Sequence, residues 1–298
     1  MIQNIYDVGG HCFSVQSNVP IMDVSDEASP YKLFETDSLR HEKCEFQFAI
    51  EVYKNLPPPP QIPIKLERTD YENYYEIVGV VNDGLVFLER GSLPNTPILR
   101  IIAEEENSKV QMICTPASLY AFKTQLMRVF ALRTLPKKTF IYHAAVIEYN
   151  GKGYLFIAAA GTGKSTHAGL WQNHIPGARI LNDDQPIVRI HEDGSVWVYG
   201  SPWGGKSPVF RNECMPVGGI VHLAQAPHNS IRPMRGVQAY VELHSALFGL
   251  DWNRLRPDLA DSLHESMTHL VSTVRLWHLD CLPDEDAVRL CCDTITKD

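Results

Sequence analysis

A run of small residues ends in a lysine and two hydroxyl residues at Ala158–Thr166, which reads AAAGTGKST. The residues before it, 154–157, are apolar and typical of a buried strand, so the order is strand, turn, helix. This is the context of the phosphate-binding pattern G-x-x-x-x-G-K-[ST], here with Ala158 in place of the first glycine. Gly161 and Gly163 let the backbone wrap phosphate oxygens, because neither carries a Cβ. The stretch therefore predicts a phosphate cradle at a helix N-terminus.

The end of this stretch carries the polar groups that a nucleoside triphosphate needs. We expect Lys164, as an exposed loop residue, to contact the β- and γ-phosphates of ATP, and the Ser165 hydroxyl to bind Mg²⁺. Thr166 falls in the first helical turn. The alternative is a glycine-rich turn from strand to helix without a ligand. The predicted nucleotide loop consists of Ala160, Gly161, Thr162, Gly163, Lys164, Ser165 and Thr166.

Two adjacent carboxylates, Asp183 and Asp184, follow the apolar residues Ile180 and Leu181. They lie at the carboxyl end of a predicted buried strand, where ligands bind in open α/β sheets. One carboxylate would hold Mg²⁺ and the other would accept the proton of an attacking hydroxyl. Because successive side chains of a strand point in opposite directions, we expect the two residues to have different roles. One short helix separates them from the phosphate loop, so we expect the two strands to be neighbours. The alternative is a solvated acidic turn.

The order of these features resembles the catalytic domain of the HPr kinase/phosphorylase family, a fold shared in outline with ATP-dependent phosphoenolpyruvate carboxykinase. The resemblance extends over about residues 139–225, with His143 before a strand–turn–strand, then the phosphate loop, a short helix and the double aspartate. It implies that Asp184 is the proton acceptor, that Asp183 lies beside the metal, and that His143 belongs to the active site. Without the resemblance, we would interpret His143 as a histidine of a strand whose hydrogen bonds are satisfied and which has no role in an active site.

Residues 198–212, VYGSPWGGKSPVFRN, depart from that family. The family has a glutamate metal ligand and an arginine-glycine signature after the double aspartate, and this chain has neither. We interpret the glycines of this stretch as a mobile loop around Trp203, which delivers Lys206 and Arg211 to neutralise a transferring γ-phosphoryl group. The alternative is a glycine-rich hairpin with a solvated lysine. The glycines concerned are Gly200, Gly204 and Gly205.

The composition limits the kinds of binding partner that are predicted for this protein. The formal net charge is −8, without a basic run, so no surface is predicted for nucleic acid or for an anionic membrane. The seven cysteines form no C-x-x-C pair, which suits mostly structural thiols in a reduced cytosol. The N-terminal sequence MIQNIYDVGG does not have the pattern of a secretion signal. We therefore expect a cytoplasmic protein that acts on small molecules or proteins; a homo-oligomer stays open.

The chain is predicted to be α/β (α+β overall), with a β-rich N-terminal domain (1–115), a connecting helix (116–138) and an HPr kinase-like P-loop domain (139–298). Turn residues at Asn82-Asp83-Gly84 and at Asn150-Gly151 predict two hairpins.

Three functions are open at this point. The first is an ATP- and Mg²⁺-dependent kinase that phosphorylates a hydroxyl group, on a serine of a protein or peptide, on free serine, or on another small acceptor. The second is a nucleotide-binding regulatory protein without transfer, and the third is an enzyme like phosphoenolpyruvate carboxykinase. The candidate catalytic residues are His143, Lys164, Asp183, Asp184 and Lys206, with Ser165 and Asp183 as metal ligands.

Overall fold

The structure is a computed structural model that describes residues 2–21, 29–36, 44–59, 66–81, 84–93, 96–104, 109–205, 209–249 and 259–297. The described chain divides into two compact units, one within residues 2–133 and the other within residues 134–249 and 261–297. Helices and extended sheets are both present, which confirms the α/β prediction. In the part of the chain that the structure describes, no helix has the length and apolar character needed to cross a membrane.

The first unit is built on one eight-stranded sheet. Its strands are β1 (Ile2–Val8), β2 (His11–Ser17), β3 (Phe46–Val52), β4 (Leu66–Asp70), β5 (Tyr74–Val81), β6 (Gly84–Ser92), β7 (Thr96–Glu104) and β8 (Lys109–Cys114). They lie in the order β1-β2-β3-β8-β7-β6-β5-β4, and β3 is parallel to both its neighbours. β5 and β6 pair antiparallel as the first predicted hairpin requires, and the Asn82 and Asp83 of its turn lie outside the described residues.

A helical segment follows the sheet. It begins with a 3₁₀ turn at Pro116–Ala121 and continues as helix α1 (Phe122–Thr134). Phe122, Leu126 and Val129 recur at three- to four-residue spacing and are buried, because that spacing places them on one helix face.

The second unit contains a nine-stranded sheet. Its strands are β9 (Thr139–Ile141), β10 (Ala144–Tyr149), β11 (Lys152–Ile157), β12 (Arg179–Asp184), β13 (Ile187–Ile190), β14 (Val196–Tyr199), β15 (Cys214–Gln225), β16 (Ser230–Met234) and β17 (Leu276–Cys281). The order is β12-β10-β11-β15-β14-β13-β9, and β17 pairs with both β15 and β16. β11, β15 and β17 are parallel to one another, so their carboxyl ends share one edge of the sheet.

The strand order corrects one prediction. β12, which carries the two aspartates, is not the neighbour of β11, which leads into the phosphate loop, because β10 lies between them and pairs antiparallel with both. The predicted tight turn between β10 and β11 is confirmed: Asn150 and Gly151 have φ of 51° and 74°. Two positive φ values in a two-residue loop are typical of the hairpin turn that Asn-Gly favours. A two-residue turn makes β10 and β11 adjacent; β15 pairs with the outer edge of β11, and β12 pairs with the outer edge of β10.

The described residues after the phosphate loop also form four helices. α2 (Lys164–His174) and α5 (Glu285–Ile295) supply buried residues to the cluster that also contains Phe156 of β11 and Val221 of β15. Trp171 of α2 is fully buried there, so α2 is held against the sheet by a large apolar side chain. The other two helices are α3 (Gly236–Ser245) and α4 (Ala260–Thr273).

Candidate functional site

The predicted phosphate loop lies between β11 and α2, and two glycines determine its shape. Gly161 and Gly163 have φ of 81° and 116°, a backbone region that residues with a Cβ rarely adopt. A Cβ at either position would meet no atom within 4 Å, so the requirement is conformational rather than steric. Gly163 precedes α2, and no side chain of the described residues caps that helix end. The first N–H groups of α2 are therefore available to an anion.

Lys164 is buried, which corrects the expectation of an exposed loop lysine. Lys164 is the first residue of α2 and is 8% exposed. The ammonium donates to the carbonyl oxygens of Ala158 at 2.9 Å and Ala159 at 3.3 Å. Burial lowers the pKa of Lys164, and the carboxylates of Asp184 and Asp183 partly oppose that shift. Helical side chains lean toward the N-terminus, which explains why Lys164 folds back over the loop that precedes it.

The hydroxyl of Ser165 donates to Oδ1 of Asp183 at 2.8 Å. Ser165 lies on the exposed first turn of α2, whereas Asp183 is 3% exposed at the end of β12. The structure thus brings together the two residues predicted as metal ligands, although β10 separates their strands. A hydroxyl and a carboxylate oxygen are hard donors of the kind that Mg²⁺ prefers.

Asp184 points to a different partner. Its Oδ1 lies 2.9 Å from Nδ1 of His143, and both side chains are about one-third exposed, at 29% and 37%. The register of β10 on β12 explains the contact, because Ala144, which follows His143, is paired with Asp184. The backbone of Asp184 has φ of 134°. Positive φ at a residue other than glycine costs about 1–3 kcal/mol and recurs at functional sites. The two aspartates therefore face different groups, one hydroxyl and one imidazole.

Two buried residues that the sequence did not single out, Asn182 and Ser201, hold the loop after β14. The Asn182 amide donates to the carbonyl oxygens of Ser201 at 3.2 Å and Trp203 at 3.1 Å. Its oxygen accepts the Gln185 N–H at 3.0 Å. The Ser201 hydroxyl donates within the same network. An asparagine directly after the apolar residues Ile180 and Leu181 of a buried strand is the signal that could have indicated a buried polar network.

The glycines after β14 are closely packed in the described part of the loop, and the mobility expected from composition stays a prediction. A Cβ on Gly200 would lie 1.8 Å from the Arg211 carbonyl oxygen, and one on Gly204 would lie 2.5 Å from the Phe210 ring. Gly205 donates its N–H to the Asp183 carbonyl oxygen at 2.9 Å. These glycines allow close approach of the backbone, and Trp203 between them is buried.

Two basic residues of this stretch, Lys206 and Arg211, are predicted from the sequence to approach the γ-phosphoryl group. Lys206 lies outside the described residues. The Arg211 guanidinium pairs with the Glu213 carboxylate at 3.3 Å. Arg211 therefore has a surface partner of its own, and the γ-phosphoryl role proposed for it gains no support from this contact.

An open cavity of about 710 Å³ adjoins the phosphate loop. One side is the loop itself with the first turn of α2, and the other side is formed by the segments that follow β15 and β17. The amide of Gln225 ties the two sides together by donating to the Thr162 carbonyl oxygen at 3.1 Å. The lining residues are Gly161, Thr162, Gly163, Thr166, His167, Leu223, Gln225, Ala226, Pro227, Cys281, Leu282 and Pro283.

The donor set at this edge fits Mg²⁺ bound together with a phosphate ligand. Ser165 and Asp183 supply adjacent oxygen donors, and the remaining predicted loop residues Ala160 and Thr166 are exposed beside them. Among the described residues, no group of three or more His, Cys, Asp or Glu side chains could hold a metal by itself. Mg²⁺ commonly takes one or two carboxylates and completes its shell with phosphate and water.

No protein-family model and no curated protein matches this sequence. Among solved structures, the HPr(Ser) kinase/phosphatase from Coxiella burnetii is similar over 51% of this chain and 94% of that chain. The sequence identity is 9% and the TM-score is 0.31. This is a weak relation of fold, and it adds nothing to the assignment of individual residues.

Proposed function

We propose that this protein is an ATP- and Mg²⁺-dependent kinase that transfers the γ-phosphoryl group to a hydroxyl, on a serine of a protein or peptide or on free serine. The observation that carries the proposal is the separation of the two aspartates beside an uncapped phosphate loop. Asp183 contacts the loop hydroxyl of Ser165, and Asp184 contacts the imidazole of His143. Phosphoryl transfer to an alcohol needs both a metal-side carboxylate and a carboxylate that takes the proton.

Each residue has a definable part in this proposal. The N–H groups of the loop and the Lys164 ammonium bind and orient the polyphosphate, and Ser165 with Asp183 would hold Mg²⁺. When bound, Mg²⁺ neutralises charge on the β- and γ-phosphate oxygens. Asp184 accepts the proton of the acceptor hydroxyl, while His143 fixes the carboxylate through their contact at 2.9 Å.

The test separates the two aspartates by their kinetics. Asp184→Asn keeps the shape of the side chain and suits the positive φ, because asparagine tolerates that region nearly as well as aspartate. We expect a loss of about a hundredfold or more in kcat with ATP affinity nearly unchanged, the scale of a lost positioned base. Asp183→Asn should instead raise the Mg²⁺ concentration needed for activity. The measurement is ADP release and phosphopeptide formation with a serine peptide mixture, with free serine as a second acceptor.

Two controls make the result specific. The same peptide mixture with alanine in place of serine should give no acceptor-dependent ADP release. Asp193→Asn changes an exposed aspartate that contacts Ser195 within its own turn, and it should leave kcat and the Mg²⁺ requirement unchanged. If both active-site substitutions raise the Mg²⁺ requirement equally and spare kcat at saturating metal, neither aspartate is a base. The regulatory nucleotide-binding function would then be the better description.

A further inference from the structure

The cavity beside the phosphate loop lies on the opposite side of β11 from the two aspartates. In the strand order β12-β10-β11-β15, the acidic strand end is on one side of the loop. The segments that follow β15 and β17 are on the other side and form the outer wall of the cavity. A chain of phosphates lying on the loop therefore has carboxylates at one end and this cavity at the other.

The outer wall is mostly apolar and carries no charged side chain. Its polar side chains are the Cys281 thiol and the amide of Gln225, which donates to the Thr162 carbonyl oxygen. The rest of the wall consists of Leu223, Ala226, Pro227, Leu282 and Pro283. Burial raises the pKa of that thiol, so it stays uncharged. Apolar walls with a few polar groups at one end are typical of pockets for flat organic groups. The volume of about 710 Å³ falls within the range of small-molecule pockets.

The two wall segments are fixed to each other. The Ala226 N–H donates to the Cys281 carbonyl oxygen at 3.2 Å, and the Leu282 N–H donates to Oδ1 of Asn229 at 2.7 Å. Both donors are therefore occupied within the wall, and Pro227 and Pro283 have no N–H. The wall is pre-formed, and these four residues have no spare backbone donor for the edge of a base.

We infer that this cavity is a nucleoside subsite, which binds the base and ribose of the triphosphate by apolar contact without reading the edge of the base. The inference rests on the proposed function, since the phosphate loop must hold the polyphosphate that leads into the cavity. Its consequence is a kinase that accepts purine triphosphates with little discrimination. Discrimination between bases requires hydrogen-bond partners placed at the base edge, and the wall donors are engaged elsewhere.

Calorimetric titration in the presence of Mg²⁺ tests the inference with ATP, GTP and inorganic tripolyphosphate as probes. We expect ATP and GTP to bind within about threefold of each other, and both at least about tenfold more tightly than tripolyphosphate. Ala226→Phe fills the cavity and should weaken ATP and GTP binding by about tenfold while sparing tripolyphosphate. Leu282→Ser removes apolar surface from an exposed position that does not need to be buried for folding, and it should act in the same direction.

Leu93→Ser is the matched control, because Leu93 is a similarly exposed leucine, at 41% against 37% for Leu282, and does not line the cavity. It should change none of the affinities. Tripolyphosphate binding as tightly as ATP, or unchanged ATP affinity in both cavity variants, overturns the subsite. A preference of more than about tenfold between ATP and GTP overturns the statement about base reading. If wild-type protein binds none of the three probes, the proposed function fails and the subsite falls with it.

Discussion

His167 makes the stability of the phosphate-loop helix sensitive to acid. The residue is 3% exposed on α2, and its ring meets the edge of Phe156 with centroids 4.7 Å apart. Its Nε2 accepts the indole N–H of Trp171 at 3.1 Å, so that nitrogen carries no proton. Burial lowers the pKa of His167 from 6.5 to about 4. The folded protein therefore holds a neutral imidazole where the unfolded chain would be protonated in mild acid.

The sign and size of the effect follow from this difference. Between pH 6.5 and about 4 the unfolded chain binds more protons than the folded one, so the free energy of unfolding falls as the pH falls. The contribution is fully present above pH 6.5 and is lost as the pH approaches the folded pKa. A shift of this size corresponds to about 3 kcal/mol in total, most of which is lost by about pH 4.5.

His167→Gln is the decisive variant, because glutamine stays neutral and can still accept the Trp171 N–H. Urea unfolding of nucleotide-free protein in EDTA, at about pH 7.5 and about pH 4.5, should show that the free energy of unfolding of wild type falls by about 2–3 kcal/mol more than that of the variant. His228→Gln, at an exposed histidine, should lose as much as wild type. An equal pH dependence for wild type and His167→Gln would refute the assignment of this acid sensitivity to His167.

Three further outcomes can be measured independently. Gly205→Ala would place a Cβ 3.1 Å from the Cβ of Asp184, so we expect about tenfold slower transfer with ATP affinity retained, by steady-state kinetics. Asn182→Ala removes the hydrogen bonds that Asn182 makes to the Ser201 carbonyl oxygen and the Gln185 N–H, and it should lower the free energy of unfolding by about 3 kcal/mol in urea titrations. The Sγ atoms of Cys12 and Cys44 lie 3.1 Å apart. Oxidised glutathione should therefore oxidise the two thiols to a disulfide, and it is itself reduced to two molecules of glutathione. The disulfide should raise the free energy of unfolding by about 3–4 kcal/mol, and the same oxidation should not raise that of a Cys44→Ser variant.

Local features of this fold could be predicted from sequence because neighbouring residues determine them. The turn at Asn150-Gly151 needs only two residues that accept positive φ, and the structure has it. The loop between β11 and α2 is similarly local, since Gly161 and Gly163 supply the conformation that the chain takes there.

Features that depend on distant contacts could not be predicted in the same way. The β10–β11 hairpin has two outer edges, of which β12 takes that of β10 and β15 that of β11, and sequence separation alone does not give that order. The role of Asn182 depends on carbonyl oxygens some twenty residues away, at Ser201 and Trp203. The glycines after β14 indicated flexibility by composition, whereas Gly200 is small because the Arg211 carbonyl oxygen occupies the space of a Cβ. Glycine serves both purposes, and only the packing distinguishes them.

The charges at the phosphate loop give the proposed metal dependence a physical origin. Burial lowers the pKa of Lys164, and Asp184 and Asp183 lie close enough to oppose that shift, so one ammonium faces two carboxylates. A triphosphate placed on the loop brings further negative charge, which two carboxylates repel by Coulomb interaction unless a cation intervenes. The carboxylates that transfer requires therefore oppose the binding of metal-free nucleotide. In the proposed kinase, Mg²⁺ and nucleotide would therefore each strengthen the binding of the other by the same factor.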